Sequence, residues 1–190
     1  MKYVLCSNNV ITNVIEADEE FAKSIGAVKV CLGAEIGKPY PTIEQLRADK
    51  LAELKGCCSA AVYAGTDVTP STTRGSHHYS FTTTAQNDLS QMMTAITDGL
   101  ETSFSYKADD EKLNVYSADE IKALSKALRQ LCTAYTKYKE ELEDWIARET
   151  SATILETIQF GIKLPDDLTK DLADYLTSLG IDVSMLSVLK

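Results

Sequence analysis

One uninterrupted stretch decides the fold: residues 117–149, SADEIKALSKALRQLCTAYTKYKEELEDWIARE. Apolar or aromatic side chains recur in it at alternating spacings of three and four residues, which is the heptad pattern of a long amphipathic helix: Ile121, Leu124, Leu128, Leu131, Tyr135, Tyr138, Leu142 and Trp145. No Gly or Pro interrupts the stretch. Ser117 and Glu120 form a capping box, in which each side chain accepts a backbone N–H of the other residue. The sequence therefore predicts one helix over about 117–149.

Two arrangements can bury this helix: a bundle formed by the chain itself, or a coiled coil between copies of the chain. Ala127, Cys132, Ala134 and Ile146 widen the apolar stripe beyond a two-residue seam, which favours an intramolecular bundle. Tyrosine and tryptophan also fit a tight two-stranded seam poorly. We expect oligomerisation through the remaining surface. The candidate helix-packing or interface residues are Leu128, Leu131, Tyr135, Tyr138, Leu142 and Trp145.

The first part of the chain, residues 1–41, has the pattern of a small β module. Two β-rich runs, residues 3–6 and 10–15, flank Asn8 and Asn9, which tolerate the positive φ of a hairpin turn. Asp18 is placed to cap a short helix, and a further strand is predicted over residues 27–31. The breakers that follow indicate a boundary: Gly33, Gly37, Pro39 and Pro41.

Residues 42–190 have the pattern of a helical body with short β-hairpins. Thr42 and Gln45 predict a capped helix over about 42–64, ended by Gly65. A hairpin is expected around residues 66–81, a helix over about 85–98 with Thr84 as its cap, and extended pieces in 102–116. The C-terminal helices are predicted over about 152–160 and 165–179, with Pro165 in the first turn of the second. The fold class is therefore α+β and mostly α.

Composition excludes several classes of protein. The net charge is −9, and no basic cluster could form a nucleic-acid surface. No apolar run approaches the length of a membrane span, and the N-terminus lacks the apolar run of a signal peptide. We therefore expect no nucleic-acid partner, no membrane insertion and synthesis in a cytoplasm, where the five scattered cysteines stay reduced.

The sequence offers no recognisable catalytic, cofactor-binding or metal-binding residues. His77 and His78 point to opposite faces of a strand, and Cys57 and Cys58 diverge on a helix, so neither pair has the spacing of a zinc site. No nucleophile elbow, zinc-protease motif or phosphate-binding glycine loop is present. The protein is not expected to be an enzyme and is expected to need no cofactor.

Several segments carry a resemblance to a known group of proteins. They are AAVYAG at 60–65, HYSFTTTAQNDL at 78–89, YSADEI at 116–121 and TKYKEEL at 136–142. Together they resemble an uncharacterised domain found in tail-region, tail-fibre-like proteins of bacteriophages and prophages. The N-terminal module, with NVI at 13–15 and EIGKPY at 35–40, is similar to small modules that begin many tail-fibre-like proteins.

The resemblance implies a place in a phage tail and no particular reaction. The function it favours is a structural or adaptor component of a tail, baseplate or tail-fibre assembly, located in the virion and made in the host cytoplasm. Its partners would be other tail or fibre subunits and copies of itself. The alternative is a tail-fibre assembly chaperone that is absent from the finished particle, and an enzyme with dispersed site residues is a third hypothesis.

Overall fold

The computed structural model describes residues 1–30 and 34–186. The chain is α+β and mostly α-helical, with short antiparallel strands, which confirms the predicted fold class. The predicted strand end at Cys31 and the predicted break at Gly33 lie outside the described residues.

The N-terminal segment forms a three-stranded antiparallel sheet with the order β2-β1-β3, from β1 (Lys2–Ser7), β2 (Val10–Glu16) and β3 (Val28–Lys29). Asn8 and Asn9 have φ values of 52° and 62°, so they form the predicted hairpin turn, which takes two residues because Ser7 belongs to β1. Helix α1 (Glu19–Ser24) follows β2 and precedes β3 in the sequence. The Asp18 carboxylate accepts the Phe21 N–H at 2.8 Å, as predicted for the cap of this helix.

Helix α2 (Ile43–Ala64) starts at its predicted capping box. The Thr42 N–H donates to Gln45 Oε1 at 2.8 Å, and the Gln45 N–H donates to Thr42 Oγ1 at 3.3 Å. Gly65 ends the helix with a φ of 75°, a left-handed conformation that glycine adopts without strain.

Two β-hairpins flank the next helix. Strands β4 (Thr66–Val68) and β5 (His77–Tyr79) pair antiparallel, as do β6 (Ser103–Tyr106) and β7 (Asn114–Ser117). Helix α3 (Thr83–Thr97) lies between them in sequence. The predicted cap of this helix, Thr84, was wrong: Thr82 has the extended backbone and accepts the Ala85 N–H at 3.3 Å, so the helix starts earlier.

The decisive stretch forms helix α4 (Ala118–Arg148), close to its predicted limits. It is followed by α5 (Ala152–Thr157), α6 (Asp166–Ser178) and a short 3-10 helix (Val183–Met185). Helix α5 is shorter than predicted because Ile158 leaves the helical conformation with ψ 115°. Pro165 precedes α6 as its N-cap residue and does not lie in the first turn.

The chain divides into two compact units, each with its own apolar core. The first contains Met1–Leu54 and Leu142–Gln159, and the second contains Lys55–Glu141 and Phe160–Lys190. Tyr3, Val4 and Ile11 are buried in the first unit, and α4 contributes Leu128 and Leu131 to the core of the second. The predicted division of the chain at residues 41 and 42 stays a prediction.

Candidate functional site

The most elaborate side-chain cluster of the second unit lies at its two hairpins. Tyr79 of β5 and Tyr116 of β7 are buried, and their hydroxyl oxygens are 2.9 Å apart in a hydrogen bond. The ring of Tyr106 stacks on Tyr79 with centroids 6.4 Å apart and meets Tyr116 edge-on at 5.8 Å. The Arg74 guanidinium lies 3.7 Å from the centroid of the Tyr116 ring, a cation–π contact. The hairpins are thus joined through their aromatic faces.

Glu120 connects this cluster to the start of α4. Its carboxylate accepts Arg74 Nε–H at 3.1 Å, the Ser71 hydroxyl at 2.7 Å and the Ser117 backbone N–H at 2.9 Å. Arg74 also donates through Nη2 to the Val115 carbonyl at 2.8 Å. The hydrogen bond from Arg74, followed by those from Ser117 and Ser71, lowers the pKa of Glu120 to about 2. The carboxylate is therefore ionised at neutral pH and held by donors from three residues: Arg74, Ser71 and Ser117.

Tyr79 and Tyr106 stay protonated at neutral pH. Burial, strengthened by the hydrogen bond to Tyr116, raises the pKa of Tyr79 well above its usual range. Burial also raises the pKa of Tyr106 to about 12, and the carboxylates of Asp88 and Asp109 act in the same direction. Phenols with such pKa values are hydrogen-bonding and packing groups, since a general base needs a pKa near the working pH.

The two histidines of β5 point to different partners, as the strand alternation predicts. His77 Nε2 lies 2.9 Å from the Arg74 carbonyl oxygen and its Nδ1 lies 3.5 Å from Glu111 Oε1. His78 Nδ1 lies 2.8 Å from Asp67 Oδ1 and its Nε2 lies 2.7 Å from the Ala64 carbonyl oxygen. The hydrogen bond with Asp67 is the main cause that raises the pKa of His78. Both rings therefore serve to hold β5 in place.

Most of the predicted packing residues are buried within the single chain. Leu128, Leu131, Tyr138 and Leu142 are almost fully inaccessible, Tyr135 is buried, and Trp145 is half-buried. This burial favours the intramolecular arrangement of α4. A subunit interface through these six residues stays untested.

Two aromatic members of the seam, Tyr135 and Tyr138, have specific partners in the second unit. The Tyr138 hydroxyl donates to the Ile162 carbonyl at 2.6 Å and accepts the Gly161 N–H at 3.0 Å, and burial raises its pKa to about 12. The Phe160 ring packs against Tyr138 and Tyr135, with centroids 5.2 and 5.8 Å away. These contacts fix the segment that connects α5 to α6.

A surface groove of about 300 Å³ lies beside the tyrosine cluster. Its wall combines α3, β6 and the loop after β6, with side chains that include Thr84, Asp88, Ser105, Tyr106, Lys107 and Asp109. The Asp109 carboxylate accepts the Ser80 N–H at 3.0 Å and the Ser80 hydroxyl at 2.6 Å, which fixes one side of the groove. The groove therefore combines apolar residues, among them Met92 and Leu113, with two carboxylates and one ammonium group.

The sequence predicts one part of this site and not its centre. Glu120 is predicted as a capping residue, and it caps α4 in the structure. Arg74 carried no local signal, because it lies 46 residues from Glu120 in the sequence. The pairing of β6 with β7 is the feature that brings Tyr116 beside Tyr106.

Among residues 1–30 and 34–186, no group of three or more His, Cys, Asp or Glu side chains is arranged to hold a metal ion. Within the same described residues, no helix combines the length and apolarity needed to cross a bilayer.

Comparisons with curated proteins and with solved structures gave no match. A family model does match residues 45–160, more than half of the chain, which include most of α2, both hairpins, α3, α4 and α5. The tyrosine cluster, Arg74 and Glu120 all lie inside the matched region. The chain belongs to this family, which is described as Domain of unknown function (DUF4376).

Proposed function

We propose that the protein is a structural or adaptor component of a phage tail, baseplate or tail-fibre assembly, and that it acts by binding other protein subunits. In this proposal it is made in the host cytoplasm and resides in the tail of the virion, in several copies. The tail assignment rests on the sequence resemblance, whose segments at 60–65, 78–89 and 116–121 all fall within the matched family region.

The observation that carries a structural role is the mutual engagement of the polar groups at the hairpins. The Arg74 guanidinium contacts Glu120, Val115 and the Tyr116 ring, and Glu120 accepts hydrogen bonds from three residues. Tyr79 and Tyr116 bind each other and are inaccessible to solvent. Because these polar side chains bind one another, the network holds the hairpins rigidly. None of its polar groups is directed toward a small substrate.

The surface of the first unit supports association with other proteins. Phe21 and Ile25, one helical turn apart, are 55% and 40% exposed, and Ile36 is 63% exposed. Large apolar side chains in such positions are typical of protein contact sites when they lie close together, and the helical spacing places Phe21 and Ile25 on one side of α1. The net charge of −9 supports protein partners over nucleic acid.

Deletion of the gene from the phage or prophage that carries it tests the proposal. We expect particles with incomplete or missing tail structures in electron micrographs, and restoration when the wild-type chain is supplied from a plasmid. Normal tails and full infectivity without the gene would contradict the proposal.

A further inference from the structure

A second groove of the second unit, which we call the basic groove, is lined by α3 and α4 and has a volume of about 330 Å³. Met93 is its lining residue on α3. The other lining residues lie on α4, among them Lys122, Lys126 and Arg129, and no Asp or Glu belongs to the lining. The charge that the basic groove presents to a ligand is therefore positive.

The local sequence leaves this positive charge largely uncompensated. Residues 121–139 contain five basic residues and no acidic one, in a chain whose net charge is −9. A helical cation is commonly paired with a carboxylate three or four positions away. Lys122 has such a partner, since its Nζ lies 3.1 Å from Asp119 Oδ1. Lys126 and Arg129 have no acidic residue at these spacings, and neither forms an ion pair with any residue that the structure describes.

Ser125 gives a second, independent indication of a ligand. It lines the basic groove and is 3% exposed. Its hydroxyl has no hydrogen-bond partner elsewhere in the described part of the chain. A buried hydroxyl without a partner costs free energy, so such groups are normally paired with protein, water or a bound molecule. A hydroxyl donor beside two unpaired cations is suited to an oxygen anion, because hydrogen bonds to ionised acceptors are the strong ones.

The spacing of the cations indicates a ligand with more than one anionic group. Lys122, Lys126 and Arg129 occupy positions i, i+4 and i+7 of α4, which lie on one face of a helix. Seven residues extend over about 10 Å of helix, which is longer than a single carboxylate or phosphate group. The Met93 side chain and the aliphatic parts of the lysines add apolar surface, against which the methylene groups of acidic side chains can pack.

The charge of the rest of the chain separates the possible polyanions. A nucleic acid or an anionic bilayer would extend beyond three cations and would meet the remaining surface of a chain whose net charge is −9. A short acidic segment of a protein needs to contact the basic groove alone. Charge complementarity therefore favours such a segment as the occupant.

We propose that the basic groove binds an acidic segment of a partner protein, whose carboxylates pair with Lys126 and Arg129 and accept a hydrogen bond from the Ser125 hydroxyl. This inference deepens the proposed function and rests on it for the class of partner, a protein subunit. The charge pairs supply both the affinity and the preference for acidic side chains.

A selection with the full-length chain and a library of random peptides of about 12 residues, the length of three helical turns, tests the proposal. We expect the selected peptides to be enriched in Asp and Glu. Replacement of their acidic residues by Asn and Gln keeps the size and removes the charge, and it should weaken binding by about tenfold or more. No enrichment in acidic residues, or equal binding of the neutral peptides, would overturn the proposal.

Two double variants with the same change in net charge locate the site. Lys126→Gln with Arg129→Gln removes the two unpaired cations, whereas Lys55→Gln with Lys163→Gln removes two exposed cations outside the basic groove. We expect the first variant to bind the selected peptides at least about tenfold more weakly and the second to bind them as the wild type does. Equal affinities of the two variants would overturn the assignment to the basic groove.

Ser125→Ala tests the hydroxyl separately from the cations. Because the hydroxyl has no partner within the described residues, its removal should not lower the melting temperature. The loss of a hydrogen bond to a carboxylate should weaken peptide binding by about tenfold. Unchanged affinity, or a clearly lower melting temperature, would contradict an anion site built around Ser125.

Two further measurements distinguish other occupants. Displacement of the selected peptides by micromolar inorganic phosphate, at constant ionic strength, would assign the basic groove to a phosphate ligand and overturn the proposal. Conversion of an oligomer to single chains by the Lys126→Gln and Arg129→Gln variant, measured by light scattering, would assign it to a second copy and also overturn the proposal. Because these experiments use the isolated chain, their failure would leave the gene-deletion test of the proposed function unaffected.

Discussion

Glu120 is the residue at which the polar contacts of the second unit converge. It closes the capping box of α4 and also binds Arg74 and Ser71, so one carboxylate connects the helix start to the loop between β4 and β5. Glutamine satisfies a capping box as glutamate does, since both side chains can accept the N-cap N–H. Replacement of Glu120 by Gln therefore removes the charge and leaves the cap.

The Glu120→Gln variant should be less stable at neutral pH and should respond less to acid. Loss of a hydrogen bond to a charged group lowers the free energy of unfolding by about 1.5–3 kcal/mol. The folded pKa of about 2 lies below the ordinary value of 4.5, so the wild-type carboxylate stabilises the fold above the ordinary value. That stabilisation is lost as the pH falls from the ordinary value through the folded value.

Denaturant titrations of both proteins across this pH range measure the difference directly. We expect the two free energies of unfolding to converge as the pH falls. Curves that stay parallel from neutral pH to the folded pKa would show that Glu120 is not stabilised in its ionised form.

Leu131 lies at the middle of the heptad seam and is 2% exposed. Leu131→Ala should lower the free energy of unfolding by about 2–5 kcal/mol, because the change loses buried apolar surface and leaves a cavity. Lys126→Ala, at an exposed position of the same helix, is the matched control and should change stability by less than about 0.5 kcal/mol. Similar chemical denaturation midpoints for the two variants would indicate that the seam is not a core.

At the scale of elements, the junction between α2 and β4 depends on Gly65. Its φ is 75°, and a Cβ there would lie 1.8 Å from the Tyr79 carbonyl oxygen. Gly99, after α3, has a similar φ of 69° but nothing within 4 Å of its Cβ position. The two glycines share the conformational requirement and differ in the space around them.

Substitution of each glycine by alanine separates these two effects. Gly99→Ala should lower the free energy of unfolding by about 1–2 kcal/mol, the penalty for a left-handed conformation. Gly65→Ala should lower the free energy of unfolding by more than Gly99→Ala does, because the added Cβ clashes with the backbone of β5 and no side-chain rotation can relieve that clash. Thermal melts of the two variants compare them, and equal shifts would contradict the close approach of β5 to Gly65.

The helices and turns that the sequence predicts correctly are those specified by residues close to one another in the chain. The capping boxes at Thr42 and Ser117, the turn at Asn8 and Asn9, and the heptad pattern of α4 each depend on residues a few positions apart. The start of α3 was misplaced because three consecutive threonines, residues 82–84, are all suitable caps and only the tertiary structure selects Thr82. The end of α5 was misplaced because Ile158 is apolar and fits the helical period, although its backbone is extended.

The candidate site was less predictable because its members are distant in sequence. Tyr79 and Tyr116 are 37 positions apart, and their hydrogen bond depends on two separate hairpins. Local sequence patterns therefore predicted the helices and the turns, whereas the candidate site became identifiable only in the folded structure.

At the scale of the whole molecule, the burial of the α4 seam constrains how copies can associate. Leu128, Leu131 and Tyr138 are covered within one chain, so a homo-oligomer must use other surface, such as exposed Phe21 and Ile25. We expect light scattering on the purified chain at high micromolar concentration to give a mass of at least two chains of 20.8 kDa each. A mass equal to one chain at that concentration would contradict the homo-oligomeric part of the proposal.

The proposed function makes this chain a resident subunit of a phage tail. Quantitative mass spectrometry of purified phage particles tests this proposal. We expect the chain at a fixed whole-number ratio to a major tail protein, and we expect it to remain after further purification. Its absence from finished particles, with the chain present in the lysate, would contradict residence in the tail and would indicate an assembly chaperone.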